Sequence, residues 1–211
     1  QVYGLTEGQP IASCLDAADA RKKSGSVGKA LPLTEIRLMN DDEQPVPAGE
    51  AGEVWIKSPG ACEGYWQKPE ETAKSFSNGW CKTGDLGMYD EEGFLSIVGR
   101  KKDMIRSGGE NIYAIEVEDV LYRHKAVYMA SVIAIPDPKY LEAVCAVIVL
   151  KDNKQATEEE LILFCQKYLA KYKVPKKVVF IDEIPRTPSG KVKKFELREM
   201  YRNIKLTTRE E

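Results

Sequence analysis

The chain has 211 residues, 30% of them charged and 43% hydrophobic, with a net charge of −2. This is the composition of a globular protein long enough for one large domain or two small ones, and its charge gives no general attraction to nucleic acid or to an anionic membrane. No apolar run approaches the roughly 20 residues that span a bilayer, and five scattered cysteines without a Cys-x-x-Cys pair, beside one histidine, argue against a zinc site or disulfide framework and for reduced thiols in the cytoplasm.

Residues 1–98 read as β-rich. Positions 33–38 and 52–57 alternate apolar with polar, the pattern of half-buried strands, and the acidic, proline-bearing stretch 40–49 between them is loop chemistry. A short helix fits 69–76. Residues 86–89 and 94–98 flank Asp90-Glu91-Glu92-Gly93 as a hairpin, and strands at this spacing suggest a small barrel or sandwich. Trp55, Trp66 and Trp80 read as packing residues.

The pattern changes near residue 104. Ile115, Val117, Val120 and Leu121 recur with acids between them, as on an amphipathic helix that ends near His124. Stretches 127–135 and 143–150 are apolar and β-branched, as buried strands are. Thr157 with Glu160 forms a capping box, and Leu161, Phe164, Cys165, Tyr168 and Leu169 follow at helical spacing. A third strand at 178–181 after this helical crossover completes a compact α/β unit. The expected fold is therefore α+β: a β-rich subdomain over 1–98, a boundary at 99–103, and a smaller domain over 104–211 with a three-stranded sheet and helices.

Four motifs stand in order along the chain. They are Tyr3-Gly4-Leu5-Thr6-Glu7, Trp80-Cys81-Lys82-Thr83-Gly84-Asp85, the run from Gly99-Arg100-Lys101-Lys102-Asp103 to Ser107-Gly108-Gly109-Glu110-Asn111, and Pro185-Arg186-Thr187-Pro188-Ser189-Gly190-Lys191. Each alone is compatible with a plain surface turn. Each also has chemistry. Gly4 lets backbone approach a phosphate, Thr6 offers a hydroxyl, and Glu7 offers a carboxylate for a hard cation such as Mg²⁺. Asp85 can accept from both hydroxyls of a ribose. Lys191 puts a mobile cation at a loop tip, where it can stabilise growing negative charge. The last loop is not a Walker A loop, which needs glycine at Pro185 and Ser or Thr at Val192.

In this order and spacing the chain resembles the acyl-adenylate-forming superfamily, which includes acyl- and aryl-CoA synthetases, peptide-synthetase adenylation domains and luciferases. The resemblance covers nearly the whole chain and implies a C-terminal portion of a longer enzyme, because the family's upstream phosphate loop and most of the acyl pocket are not in it. Residues 1–98 would be the distorted-barrel end of the large AMP-binding domain, and 104–211 the small mobile domain. The implied activity is an AMP-forming acid–thiol ligase for fatty or aryl acids, using ATP, Mg²⁺ and coenzyme A. A peptide-synthetase-type adenylation domain and a non-catalytic nucleotide- or partner-binding module are the alternatives. The resemblance assigns Lys191, Thr6 and Glu7 to catalysis, with Glu7 on the metal. It assigns Tyr3, Gly4, Asp85 and Arg100 to the nucleotide and Gly108, Gly109 and Glu110 to the pantetheine path. Lys102 is the hinge between two catalytic poses. Arg106 and Ala114 depart from a common lysine and proline, which weakens any role for Arg106. Lys193 and Lys194 read as solvated or near coenzyme A phosphates, and His124 needs no catalytic role. This piece alone is expected to be inactive.

Overall fold

The structure, a computed structural model, describes residues 1–204 and 206. It is α+β, with two sheets and four α-helices among the described residues. The chain divides between Lys102 and Asp103 into two compact units.

In the first unit the strands are β1 (Val2–Leu5), β2 (Gln9–Cys14), β3 (Ser26–Ala30), β4 (Glu35–Met39), β5 (Ala51–Lys57), β6 (Phe76–Ser77), β7 (Trp80–Tyr89) and β8 (Leu95–Arg100). They pair in the order β1-β2-β3-β8-β7-β5-β4, with β6 on β7, and every ladder is antiparallel. Alternation puts Val54 and Ile56 of β5 on the inner face, where they meet Ala12, Val27, Leu38 and Leu95. Helix α1 (Pro69–Ser75) starts on a proline, whose missing N–H is harmless there, and carries Glu70 and Glu71 in its first turn. Trp55 is buried, whereas Trp66 is 87% exposed, contrary to its reading as a packing residue. It belongs to the irregular segment before α1, beside Gln67 at φ 55°, and so has no sheet face to bury it.

Gly4 sits where the β1–β2 register shifts between Tyr3 and Leu5. A Cβ there would lie 2.3 Å from the Gln9 carbonyl oxygen and 2.5 Å from that of Pro10. Backbone oxygens cannot move aside as a side-chain tip can. Gly4→Ala should therefore destabilise the first unit by about 1–3 kcal/mol. Thermal melting of the chain measures this, and an unchanged melting temperature would show that the hairpin opens without cost.

The second unit carries β9 (Ile105–Ser107), β10 (Glu110–Ile112), β11 (Val127–Asp137), β12 (Leu141–Leu150) and β13 (Lys177–Phe180), with helices α2 (Ala114–Tyr122), α3 (Glu158–Gln166) and α4 (Lys194–Tyr201). The sheet order is β10-β9-β12-β11, with β13 parallel to β12 after the α3 crossover. The expected three strands are present, and the β9–β10 hairpin enlarges the sheet to five. Strands of three residues are too short to show a period in sequence. The two long strands are apolar on both faces because both are covered. Val132, Val144, Ala146 and Ile148 face a core that includes Val117 and Leu121 of α2 and Leu161 and Cys165 of α3. Ile133, Ile135, Cys145 and Val147 face Ile184, which follows β13, and Leu197 of α4. Thr157 caps α3 by accepting from the Glu160 N–H at 3.1 Å. His124 is buried, its Nδ1 accepting from the Ala126 N–H and its ring set edge-on to Phe164. Burial pushes the thiols of Cys81 and Cys165 up to about 11 and that of Cys145 to about 12, so all three stay protonated and unreactive.

Candidate functional site

In the first unit the β5–β7 register creates the central feature. Trp55 pairs with Lys82 and Glu53 with Leu86, so Val54 alone faces Thr83, Gly84 and Asp85. Such a bulge bends the strand and re-aims its side chains. Gly84 takes φ 70°, a left-handed angle suited to glycine. Two side chains satisfy the backbone groups at the bulge. The Thr83 hydroxyl donates to the Val54 carbonyl at 2.8 Å, and the Gly84 N–H donates to Glu53 Oε1 at 3.2 Å.

The bulge presents Asp85 to two partners. The Tyr3 hydroxyl donates to Asp85 Oδ2 at 3.0 Å, and Arg100 Nε donates to Oδ1 at 2.9 Å. Arg100 is the cross-strand partner of Asp85 on β8. The Asp85 side chain is 12% exposed and that of Arg100 54%. Burial, reinforced by the neighbouring carboxylate, pushes the Tyr3 hydroxyl well above the ordinary phenol range, so it stays a donor. A carboxylate has about four lone-pair positions, and Asp85 uses two on protein donors. The others suit a vicinal diol, with the exposed guanidinium beside it for an anion.

Thr6 and Glu7 occupy the turn between β1 and β2. Tyr65 donates its hydroxyl to Glu7 Oε1 at 3.2 Å, and the Cys62 N–H donates to the Glu7 carbonyl at 2.8 Å. Thr6 is exposed. No group of three or more metal-ligating side chains exists among the described residues. A Mg²⁺ ion at Glu7 fits only with further oxygens from a substrate and water, which is how Mg²⁺ is commonly held.

The second unit contributes two separate turns. Gly108 and Gly109 join β9 to β10 at φ 60° and 88°, the two-residue hairpin geometry in which both central angles are positive. The Gly108 N–H donates to the Tyr140 carbonyl at 3.1 Å, and Glu110 opens β10 exposed. The Arg106 N–H donates to Glu142 Oε2 at 2.7 Å. The Lys191 turn is tied by Gly190 N–H to the Thr187 carbonyl, Thr187 N–H to the Lys191 carbonyl, and Lys191 N–H to the Thr187 hydroxyl. Arg186 and Val192 bridge across it. Lys191 itself is exposed. Lys193 and Lys194, read as solvated or near coenzyme A phosphates, are half-buried and pair with Glu196 and Glu118 at 2.8 and 2.7 Å.

The structure thus bonds Tyr3, Asp85 and Arg100 into one cluster, holds Thr6 and Glu7 on an adjoining turn, and carries Gly108, Gly109, Glu110 and Lys191 on turns of the second unit. Sequence reasoning passed over Glu53 and Tyr65 and named Lys101 only as part of the hinge run. Glu53 stood at a polar position of an alternating strand, and Tyr65 in a loop without a motif.

The family model for the AMP-binding enzyme matches residues 1–66, and that for the AMP-binding enzyme C-terminal domain matches residues 116–191. The chain belongs to the AMP-binding, acyl-adenylate-forming superfamily. A long-chain-fatty-acid–CoA ligase of Escherichia coli O6:H1 is 44% identical over 200 residues, 95% of this chain and 35% of the ligase. A feruloyl-CoA synthase of Amycolatopsis is 43% identical over 201 residues, 95% of this chain and 41% of the synthase. The o-succinylbenzoate CoA synthetase of Bacillus subtilis, solved with its acyl-adenylate intermediate, superposes with a TM-score of 0.88 at 39% identity, over 99% of this chain and 42% of that one. The same synthetase has been solved with ATP and a magnesium ion, with a TM-score of 0.87 at 40% identity over 94% and 41%. The chain therefore spans well under half the length of these relatives. No helix among its described residues is long and apolar enough to cross a membrane.

Proposed function

We propose that the chain is the C-terminal portion of a cytoplasmic, ATP-dependent acyl-CoA synthetase for fatty or aryl acids. The enzyme joins a carboxylate to the α-phosphate of ATP with release of pyrophosphate, then passes the acyl group to the thiol of coenzyme A with release of AMP. Residues 1–98 complete the nucleotide-binding domain, 99–103 form the hinge, and 104–211 are the mobile domain. The observation that carries the reading is the Asp85 carboxylate, held on two sides by Tyr3 and Arg100 with acceptor capacity left for a ribose diol.

The residues divide the work by their chemistry. Asp85 takes the ribose hydroxyls, Tyr3 sets its ring by the base, and Arg100 faces a phosphate. Gly4, packed against the β2 backbone, sets the turn that carries Thr6, whose hydroxyl donates to the phosphate. Glu7 holds Mg²⁺, which when bound neutralises phosphate charge. Lys191 bridges the carboxylate and phosphate oxygens. Gly108, Gly109 and Glu110 line the path of the pantetheine thiol, whose amide chain can bond to the exposed backbone there.

The test is made in the longer enzyme. Carboxylate-dependent pyrophosphate release, followed by acyl transfer to coenzyme A, is the expected result. Asp85→Asn should raise the KM for ATP about tenfold or more, because its amide nitrogen faces a donor where the carboxylate accepts. Absence of pyrophosphate release with any fatty or aryl acid would leave the binding-module reading, and transfer to a carrier protein instead of coenzyme A would favour the peptide-synthetase type.

A further inference from the structure

Glu53 is half-buried on β5, its side chain 12% exposed, and its two oxygens have different jobs. Oε1 accepts from the Gly84 N–H at 3.2 Å, and Oε2 accepts from Lys101 Nζ at 3.1 Å. Gly84 immediately precedes Asp85, and Lys101 immediately follows Arg100. Asp85 and Arg100 are themselves the bonded cross-strand pair. A single carboxylate on a third strand therefore grips the neighbours of both members of that pair. Lys101 is held from its other side by Asp41 Oδ1 at 2.9 Å, so its ammonium is fixed between two carboxylates.

We infer that Glu53 is a positioning residue for the nucleotide: it sets the Thr83–Gly84–Asp85 bulge and the end of β8 together, and so fixes the Asp85–Arg100 pair that receives the ribose and phosphate. The inference rests on the nucleotide reading above. Its physical basis is the bulge. The Gly84 N–H has left the β5–β7 ladder, and without Glu53 it would be a poorly satisfied donor on a turn whose glycine gives little resistance to movement. The strand would then relax, and Asp85 would move with it. A shift of an ångström in a group that orients substrate is enough to lose much of its effect.

Two substitutions separate the two arms. Glu53→Gln keeps an acceptor oxygen for Gly84 and loses the charge facing Lys101. Glu53→Ala loses both. In the 211-residue chain, the Gly84 amide proton should exchange with solvent about tenfold faster in Glu53→Ala and near the wild-type rate in Glu53→Gln. In the longer enzyme, Glu53→Ala should raise the KM for ATP about tenfold with a smaller change in kcat. Glu53→Gln and Lys101→Met should each raise it about threefold. These two decide the matter if Glu53→Ala melts early.

Unchanged Gly84 exchange in a folded Glu53→Ala, or equal KM values for ATP in all three variants and the wild type, would overturn the inference. If Asp85→Asn raises the KM and the Glu53 and Lys101 variants do not, only this inference falls. If Asp85→Asn leaves it unchanged, the ribose reading falls and this one with it.

Discussion

Replacing Lys191 by alanine in the longer enzyme should slow adenylation about 10²–10³-fold, the usual effect of removing one preorganised charge-stabilising group. Thioester formation from a supplied acyl-adenylate should stay within a few-fold of normal. The asymmetry follows from where the charge acts. On the proposed reading two anions meet in adenylation with the ammonium between their oxygens, whereas in thioester formation AMP would leave and another set of residues would carry the step. The structure makes the variant a clean one. Lys191 is exposed, and the turn is held by backbone and Thr187 hydroxyl bonds that alanine retains. Its melting temperature should therefore equal the wild type's. Lys191→Arg should recover only part of the rate, since a planar guanidinium cannot place one compact charge where the ammonium did. Equal losses in both half-reactions would remove the division of labour between poses.

What could be read in advance depended on how local the physics was. The α3 cap needed only Thr157 and the donor three residues on, so the sequence pattern and the bond coincide. The strands 127–137 and 141–150 announced themselves because both of their faces are buried. The β9–β10 hairpin and β1–β3 did not: strands of three residues carry no legible period, and β2 and β3 do not alternate cleanly between apolar and polar residues. Trp66 was misjudged because burial is decided by a surface that composition does not show. Lys194 reads as a surface cation, yet its partner Glu118 is 76 residues away. The site followed the same rule. Tyr3, Asp85 and Arg100 stood in motifs and could be named, whereas Glu53 could not. A glutamate on an alternating strand is ordinarily the solvated face. Its importance comes from a register shift in a strand some thirty residues later.

Lys102→Pro in the longer enzyme should spare adenylation and lower thioester formation about 10²-fold, the scale of loss when reacting groups fail to reach their geometry. The structure supports Lys102 as the point where rotation would concentrate. Lys101, on one side, is tied to Glu53 and Asp41 within the first unit. Asp103, on the other, is paired with Arg198 of α4 within the second unit. With both neighbours anchored, a change of pose falls on the φ and ψ of the residue between them. Residues Lys101–Asp103 form a 3-10 turn, whose φ of about −50 to −70° is the range proline accepts. Proline would hold Lys102 there and restrict Lys101 as well, so one pose is kept and its alternative is lost, and adenylation is the half-reaction spared if its pose has this backbone. Both half-reactions must be measured separately, with a thermal melt to establish that each unit stays folded. If a well-folded variant keeps both rates, the chain does not turn at Lys102, and the single enzyme pose would have to serve Lys191 and the Gly108–Gly109 turn alike.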